Sequence, residues 1–130
     1  MTNAEQFVGS WRLVSYETES SDGSGARPFG DVPNGLIVLD RSGVFSVQIE
    51  PPEAAESGDG PQYVAFFGTW SLDGDAAELV LVPRGTVNER LRGTTQRRKF
   101  AFEEPRLRLY PPPVQVNGAT VMTTVTWERV

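Results

Sequence analysis

Phe66-Phe67-Gly68-Thr69-Trp70-Ser71-Leu72-Asp73-Gly74-Asp75-Ala76-Ala77-Glu78-Leu79-Val80-Leu81-Val82-Pro83 decides the fold. In an extended chain Phe66, Gly68, Trp70 and Leu72 share one face, because side chains alternate along a strand. Asp73-Gly74-Asp75-Ala76 then carries the residues that a tight hairpin turn wants. The apolar run behind it is a second strand. The hairpin has neighbours on both sides. The spacing predicts eight strands, near 7–17, 35–40, 44–50, 63–72, 77–83, 94–102, 106–110 and 120–130. One short helical turn over 3–6 precedes them, signalled by Thr2 with Glu5 three residues on.

The connections say how the strands close. Three are tight: Asp40-Arg41-Ser42-Gly43, Asp73-Gly74-Asp75-Ala76 and Glu103-Glu104-Pro105. Four are long: 18–34, 51–62, 84–93 and 111–119. Long and short alternate, so an up-and-down meander places every long loop at one end. Eight antiparallel strands with one elaborated rim describe a small closed barrel, since closure removes exposed edges. The expectation is one all-β domain over 1–130, with room inside for side chains and one small ligand.

Composition agrees. Val, Leu, Phe and Ile supply 33 of 130 residues, above the roughly 20% floor below which chains stay disordered. Fifteen Val exceed nine Leu, and ten Thr stand beside nine Ala, a strand-forming bias. With no His and no Cys, disulfides, zinc fingers and thiol or imidazole catalysts drop out. Asp73-Gly74-Asp75-Ala76-Ala77-Glu78 lacks the register of a calcium loop, so no metal site and no cofactor are implied. No apolar run reaches the roughly 20 residues that span a bilayer. The N-terminus has neither the basic start nor the apolar stretch of a signal peptide. A cytoplasmic protein with no membrane partner is the expectation.

The net charge of −5 disfavours a nucleic-acid partner. It is unevenly spread. Residues 1–83 hold 3 basic and 13 acidic groups, whereas 84–108 hold 8 basic and 3 acidic. That fits a solvated basic face balancing an acidic one, or an anionic ligand near the basic segment.

Strand parity places the interior. Phe7, Gly9, Trp11 and Leu13 share a face that continues to Ser15 and Glu17 towards the long loops. Val121, Val125, Trp127 and Arg129 share another, so all three Trp fall near the tight-turn end. Gln96 and Arg98 alternate with Phe100 and Phe102, which turns both polar groups inward near the mouth. Tyr16 and Gln48 fall on the opposite parity from the apolar residues of their strands.

These residues resemble a known family. Phe7-Val8-Gly9-Ser10-Trp11-Arg12-Leu13-Val14-Ser15-Tyr16-Glu17, with its Gly-x-Trp signature, is similar to the opening strand of lipocalin-like proteins. Further matching segments are Pro28-Phe29-Gly30, Gly35-Leu36-Ile37-Val38, Phe45-Ser46-Val47-Gln48-Ile49, Phe66-Phe67-Gly68-Thr69-Trp70, Gln96-Arg97-Arg98-Lys99-Phe100 and Thr126-Trp127-Glu128-Arg129-Val130. Together they resemble the small bacterial and fungal lipocalin-like domain family. The resemblance implies that Trp11 plugs the closed end with Arg129 packed across it, a structural role. It also implies small-molecule binding, or cofactor-free cyclase or isomerase chemistry in natural-product metabolism.

The candidate site is therefore the mouth. Arg98 and Glu17 are the candidate catalytic pair, a carbonyl-polarising donor and a proton carrier. Gln96, Ser15, Tyr63, Gln48, Tyr110, Phe66 and Phe100 are candidate ligand contacts. Arg98 either pairs internally with Glu17 or meets a ligand carbonyl or carboxylate together with Gln96, since a buried Arg needs such a partner. Three functions stay open: a binding protein for a small hydrophobic ligand, a cofactor-free enzyme, and a structural barrel filled with side chains. The 111–113 Pro run and the loop 51–62 are candidates for a homodimer interface or a lid.

Overall fold

The structure, a computed structural model, describes residues 3–52 and 61–130. A 3-10 turn over Ala4–Gln6 leads into the strands. These are β1 (Gly9–Ser20), β2 (Gly25–Ala26), β3 (Asn34–Leu39), β4 (Val44–Glu50) and β5 (Val64–Asp73). Then follow β6 (Glu78–Thr86), β7 (Gln96–Glu103), β8 (Arg106–Tyr110), β9 (Val114–Val116) and β10 (Ala119–Arg129). The order β1-β3-β4-β5-β6-β7-β8-β10, with β10 pairing back onto β1, is a closed eight-stranded antiparallel barrel. The short β2 and β9 extend β1 and β10 as hairpins above the rim, and neither was expected. The opening cap sits one residue later than expected. Gln6 accepts a hydrogen bond from the Asn3 backbone N–H at 3.1 Å, and Thr2 lies outside the described residues.

The closed end is an aromatic floor. Phe7 meets Phe100 and Phe102 edge-on, with ring centroids at 4.9 and 4.8 Å. The Trp11 indole donates to the Phe7 carbonyl at 3.0 Å, and the Arg129 guanidinium lies 4.1 Å from its ring centroid. Arg129 also donates to the carbonyls of Val8 and Gln6 at 3.0 and 2.9 Å, tying the last strand to the chain start. Trp70 donates to the Asp40 carbonyl at 2.7 Å.

Two bulges change the parity. Leu13 faces Trp127 but Ser15 faces Thr126, so Val14 is the extra residue of β1. Gly68 faces Pro83 but Phe67 faces Gly85, so Arg84 is the extra residue of β6. One unpaired residue reverses the face of everything beyond it, because the side-chain period is two. Beyond Val14, Tyr16 faces the buried Val125 and points inward, while Ser15 and Glu17 point to solvent. That corrects the expectation for all three.

Candidate functional site

The lower barrel is filled by side chains; the space is at the mouth. A cavity of about 810 Å³ lies between Tyr16 and Thr18 of β1, Phe29, Val64 and Phe66 of β5, and Leu91. Each wall has a local cause. Tyr16 and Thr18 are turned in by the Val14 bulge, and Thr86, also on the lining, by the Arg84 bulge. Phe29 comes from the loop after β2, where the Gly30 N–H closes a turn on the Arg27 carbonyl at 2.9 Å. Its ring packs edge-on against Tyr16 at 4.8 Å, and it is buried. Leu91 belongs to a 3-10 turn, Glu89–Leu91, capped by the Asn88 side chain, which accepts from the Arg90 N–H at 3.1 Å.

Arg98 turns inward, opposite the fully buried Leu79. Its guanidinium donates to the Arg97 carbonyl at 2.9 Å. Burial lowers its pKa, with the nearby Tyr16 pulling the other way. Burial likewise raises the Tyr16 phenol, and the Arg98 charge lowers it. Tyr16 thus stays protonated at neutral pH; it lines the cavity and feels the charge of Arg98, which does not line it. Among the described residues, no carboxylate lies within salt-bridge reach of Arg98, nor of Arg84 or of Arg90, which lines the cavity, whereas Arg12, Arg27, Arg41, Arg92, Arg97, Arg106, Arg108 and Arg129 each have one.

The other expected site residues divide. Gln96 faces inward but is tied to the rim: its amide donates to Thr94 at 2.7 Å, and Thr94 donates to the Leu91 carbonyl at 2.6 Å. Phe66 lines the cavity, and Phe100 belongs to the floor. Glu17 is exposed and bridges to Arg27 at 3.3 Å, with no link to Arg98. The expected Glu17–Arg98 pair does not form. Ser15 also faces outward. Gln48 and Tyr63 meet each other, the Tyr63 hydroxyl donating to Gln48 at 3.3 Å. That contact is on the outer face, since Gln48 alternates with the buried Val47 and Ile49, while Tyr63 also lines the cavity. Tyr110 alternates with the buried Leu107 and Leu109 and faces outward as well. It borders a separate outer concavity of about 1000 Å³ with Lys99 and Pro111–Pro113. Most of loop 51–62 lies outside the described residues.

Residues 8–62, from β1 through β4, match the family model described as the lipocalin-like domain. Over that stretch the chain is similar to lipocalin-like proteins. No curated protein matches it. Beyond the matched stretch the remaining strands complete the closed eight-stranded barrel, and there the resemblance rests on the quoted segments. A lipocalin-like barrel with an open mouth suggests small-molecule binding. Among the described residues no three acidic side chains converge as a metal would need. No helix among them is long and apolar enough to cross a membrane.

Tyr16, Thr18, Phe29, Thr86 and Leu91 were not among the expected contacts. Nothing in Leu13-Val14-Ser15 announces a bulge, for it holds neither Gly nor Pro. Phe29 did carry a signal, in Pro28-Phe29-Gly30, a turn that carries one large aromatic.

Proposed function

We propose that the protein binds a small apolar molecule bearing a carbonyl or carboxylate oxygen, held in the mouth cavity. The observation that carries this is Arg98: an inward guanidinium with no carboxylate partner among the described residues, backed onto the Tyr16 phenol. A half-buried charge left so is costly unless a ligand meets it. Phe29, Val64, Phe66 and Leu91 take the apolar body, and the Tyr16 hydroxyl donates to the ligand oxygen. Arg98 stabilises the negative charge gathered there.

Decanoate and decanol are a matched pair for the test. Decanoate is expected to bind more tightly by isothermal titration calorimetry. Arg98→Met should weaken decanoate about tenfold, as loss of a nearby opposite charge in a partly buried site does, and leave decanol unchanged. Equal affinities for the two probes, or equal binding by the variant, would remove Arg98 from the site.

A cofactor-free isomerase or cyclase is the second reading. A protonated Tyr16 before a cation is a donor that can stabilise a developing enolate oxygen. Such a reaction also needs a base, and Glu17 faces solvent on the outside. No carboxylate lines the mouth cavity among the described residues, so binding is the reading favoured. Deuterium uptake at the α-carbon of a bound ketone in D2O would speak for the enzyme.

A further inference from the structure

The barrel does not use all the charge of its basic segment. Residues 84–108 hold eight cations and three carboxylates, Glu89, Glu103 and Glu104. Each carboxylate is engaged: Glu89 by Arg92 at 2.7 Å, Glu103 by Arg108 at 2.9 Å and Glu104 by Arg129 at 2.9 Å. Arg97 and Arg106 take carboxylates from outside the segment, Asp73 and Glu128. Lys99, between the inward Arg98 and Phe100, stands on the outer wall. Arg84 is the exposed residue of the β6 bulge. Arg98 and Arg90 remain. The first turns into the barrel, and the second lines the mouth cavity.

The turn that carries Arg90 aims it there. Residues three apart eclipse in a 3-10 turn, so Glu89 and Arg92 share a side. They hold each other by two hydrogen bonds, at 2.9 and 2.7 Å. Arg92 also donates to the Arg84 carbonyl, which ties that side to β6. Arg90 and Leu91 point elsewhere, and both border the cavity. The polar groups beside them are closed on one another: the Thr86 hydroxyl donates to the Asn88 carbonyl, and the Asn88 side chain accepts the Arg90 backbone N–H. Among the described residues the Arg90 guanidinium has no partner, and no carboxylate lines the cavity.

We infer that the ligand is anionic at both ends: an apolar body with one carboxylate on Tyr16, in the field of Arg98, and a second anionic group on Arg90 at the rim. This rests on the mouth cavity being the binding site, and adds the far end of what it holds. Between the two cations the wall is apolar, with Phe29, Val64 and Phe66. About 810 Å³ suits a whole drug-sized molecule rather than one head group. The chain carries −5, so an anion is drawn only to a place where cations locally outnumber carboxylates, as they do here. The two ends differ in kind. Arg98 is half-buried and little screened, whereas Arg90 is exposed, so its attraction falls with salt.

Isothermal titration calorimetry tests it with octanedioate, decanedioate and dodecanedioate, each beside the monocarboxylate of equal length. The readout is the ratio of the two dissociation constants. Wild type should favour at least one dicarboxylate about sixfold in dilute salt. A factor of about two comes from either end being able to enter, and about threefold from an exposed ion pair. Molar salt should shrink the preference to about twofold. Arg90→Gln should lose the threefold share, and Arg90→Glu should reverse the preference, both with unchanged far-ultraviolet circular dichroism. Arg98→Met should weaken both members of a pair and leave their ratio in place. A wild-type ratio of about two or less at every length overturns the inference, as does a ratio that Arg90→Gln and Arg90→Glu leave unchanged. If Arg98→Met then still weakens the monocarboxylate, only the rim anchor falls. If it does not, the mouth cavity is not the anion site, and both readings fall.

Discussion

Burial holds the Tyr16 phenol above its ordinary pKa of about 10, against the pull of Arg98. Above that ordinary value the unfolded chain loses its proton first, so the native state binds more protons and stability falls as pH rises. Of the three tyrosines, one should ionise late in a titration followed near 295 nm, and Tyr16→Phe should abolish that late step. An early-titrating Tyr16 would place it in solvent. Glu17, its neighbour in the chain, has an exposed ion pair with Arg27. Glu17→Gln should therefore change stability by no more than about 0.5 kcal/mol and decanoate affinity not at all. The two floor tryptophans offer a sharper contrast. Trp11 donates to Phe7 and lies under Arg129, whereas the buried Trp127 N–H has no acceptor among the described residues. Replacing each by Phe removes similar area, but only Trp11→Phe loses a hydrogen bond and a cation–π contact. Urea unfolding should show Trp11→Phe the more costly by about 1–2 kcal/mol; the reverse order would misplace the Arg129 contact.

The eight main strands lie within about three residues of where alternation and turn chemistry put them, because those signals are local. Arg98 and Gln96 were readable for the same reason: Phe100 and Phe102 fix the parity of β7, and no bulge interrupts it. Glu17 and Ser15 were misread because parity was carried across Val14, and a β-branched residue in mid-strand leaves no mark of a bulge. Gln48 shows the opposite case: its outward parity is legible in β4, and that parity takes it out of the barrel. The bulge in β6 has its own requirement. Gly68 sits where an added Cβ would overlap the Val82 carbonyl oxygen and crowd the Arg84 backbone. Both obstacles are backbone and cannot swing aside. Gly68→Ala should destabilise by roughly 3 kcal/mol or more, measurable by urea unfolding. Gly74→Ala, with open space around it, should cost far less. Equal costs would mean that the β5–β6 register is not as described.

At the scale of the whole barrel, loop alternation was enough to predict closure, since it fixes which end each connection occupies. The mouth cavity was less legible, because Phe29 and Leu91 reach it from loops, where no periodicity exists. A ligand seated there binds only the native state, so decanoate at about 100 times its dissociation constant should add roughly 2.7 kcal/mol. Differential scanning calorimetry should show Tm rising by several degrees in wild type. The rise should be clearly smaller in Arg98→Met at the same concentration; an equal rise would seat the probe elsewhere. Closure by β1 against β10 also has a meaning for synthesis. On the ribosome β1 emerges first and finds β3 within a few tens of residues, yet its other edge has no mate until residues 121–129 appear. Every intermediate that lacks β10 is thus an open sheet with a bare edge at each end, and only β10 makes it a ring. A chain cut short of Ala119 can pair with its neighbours instead of with itself.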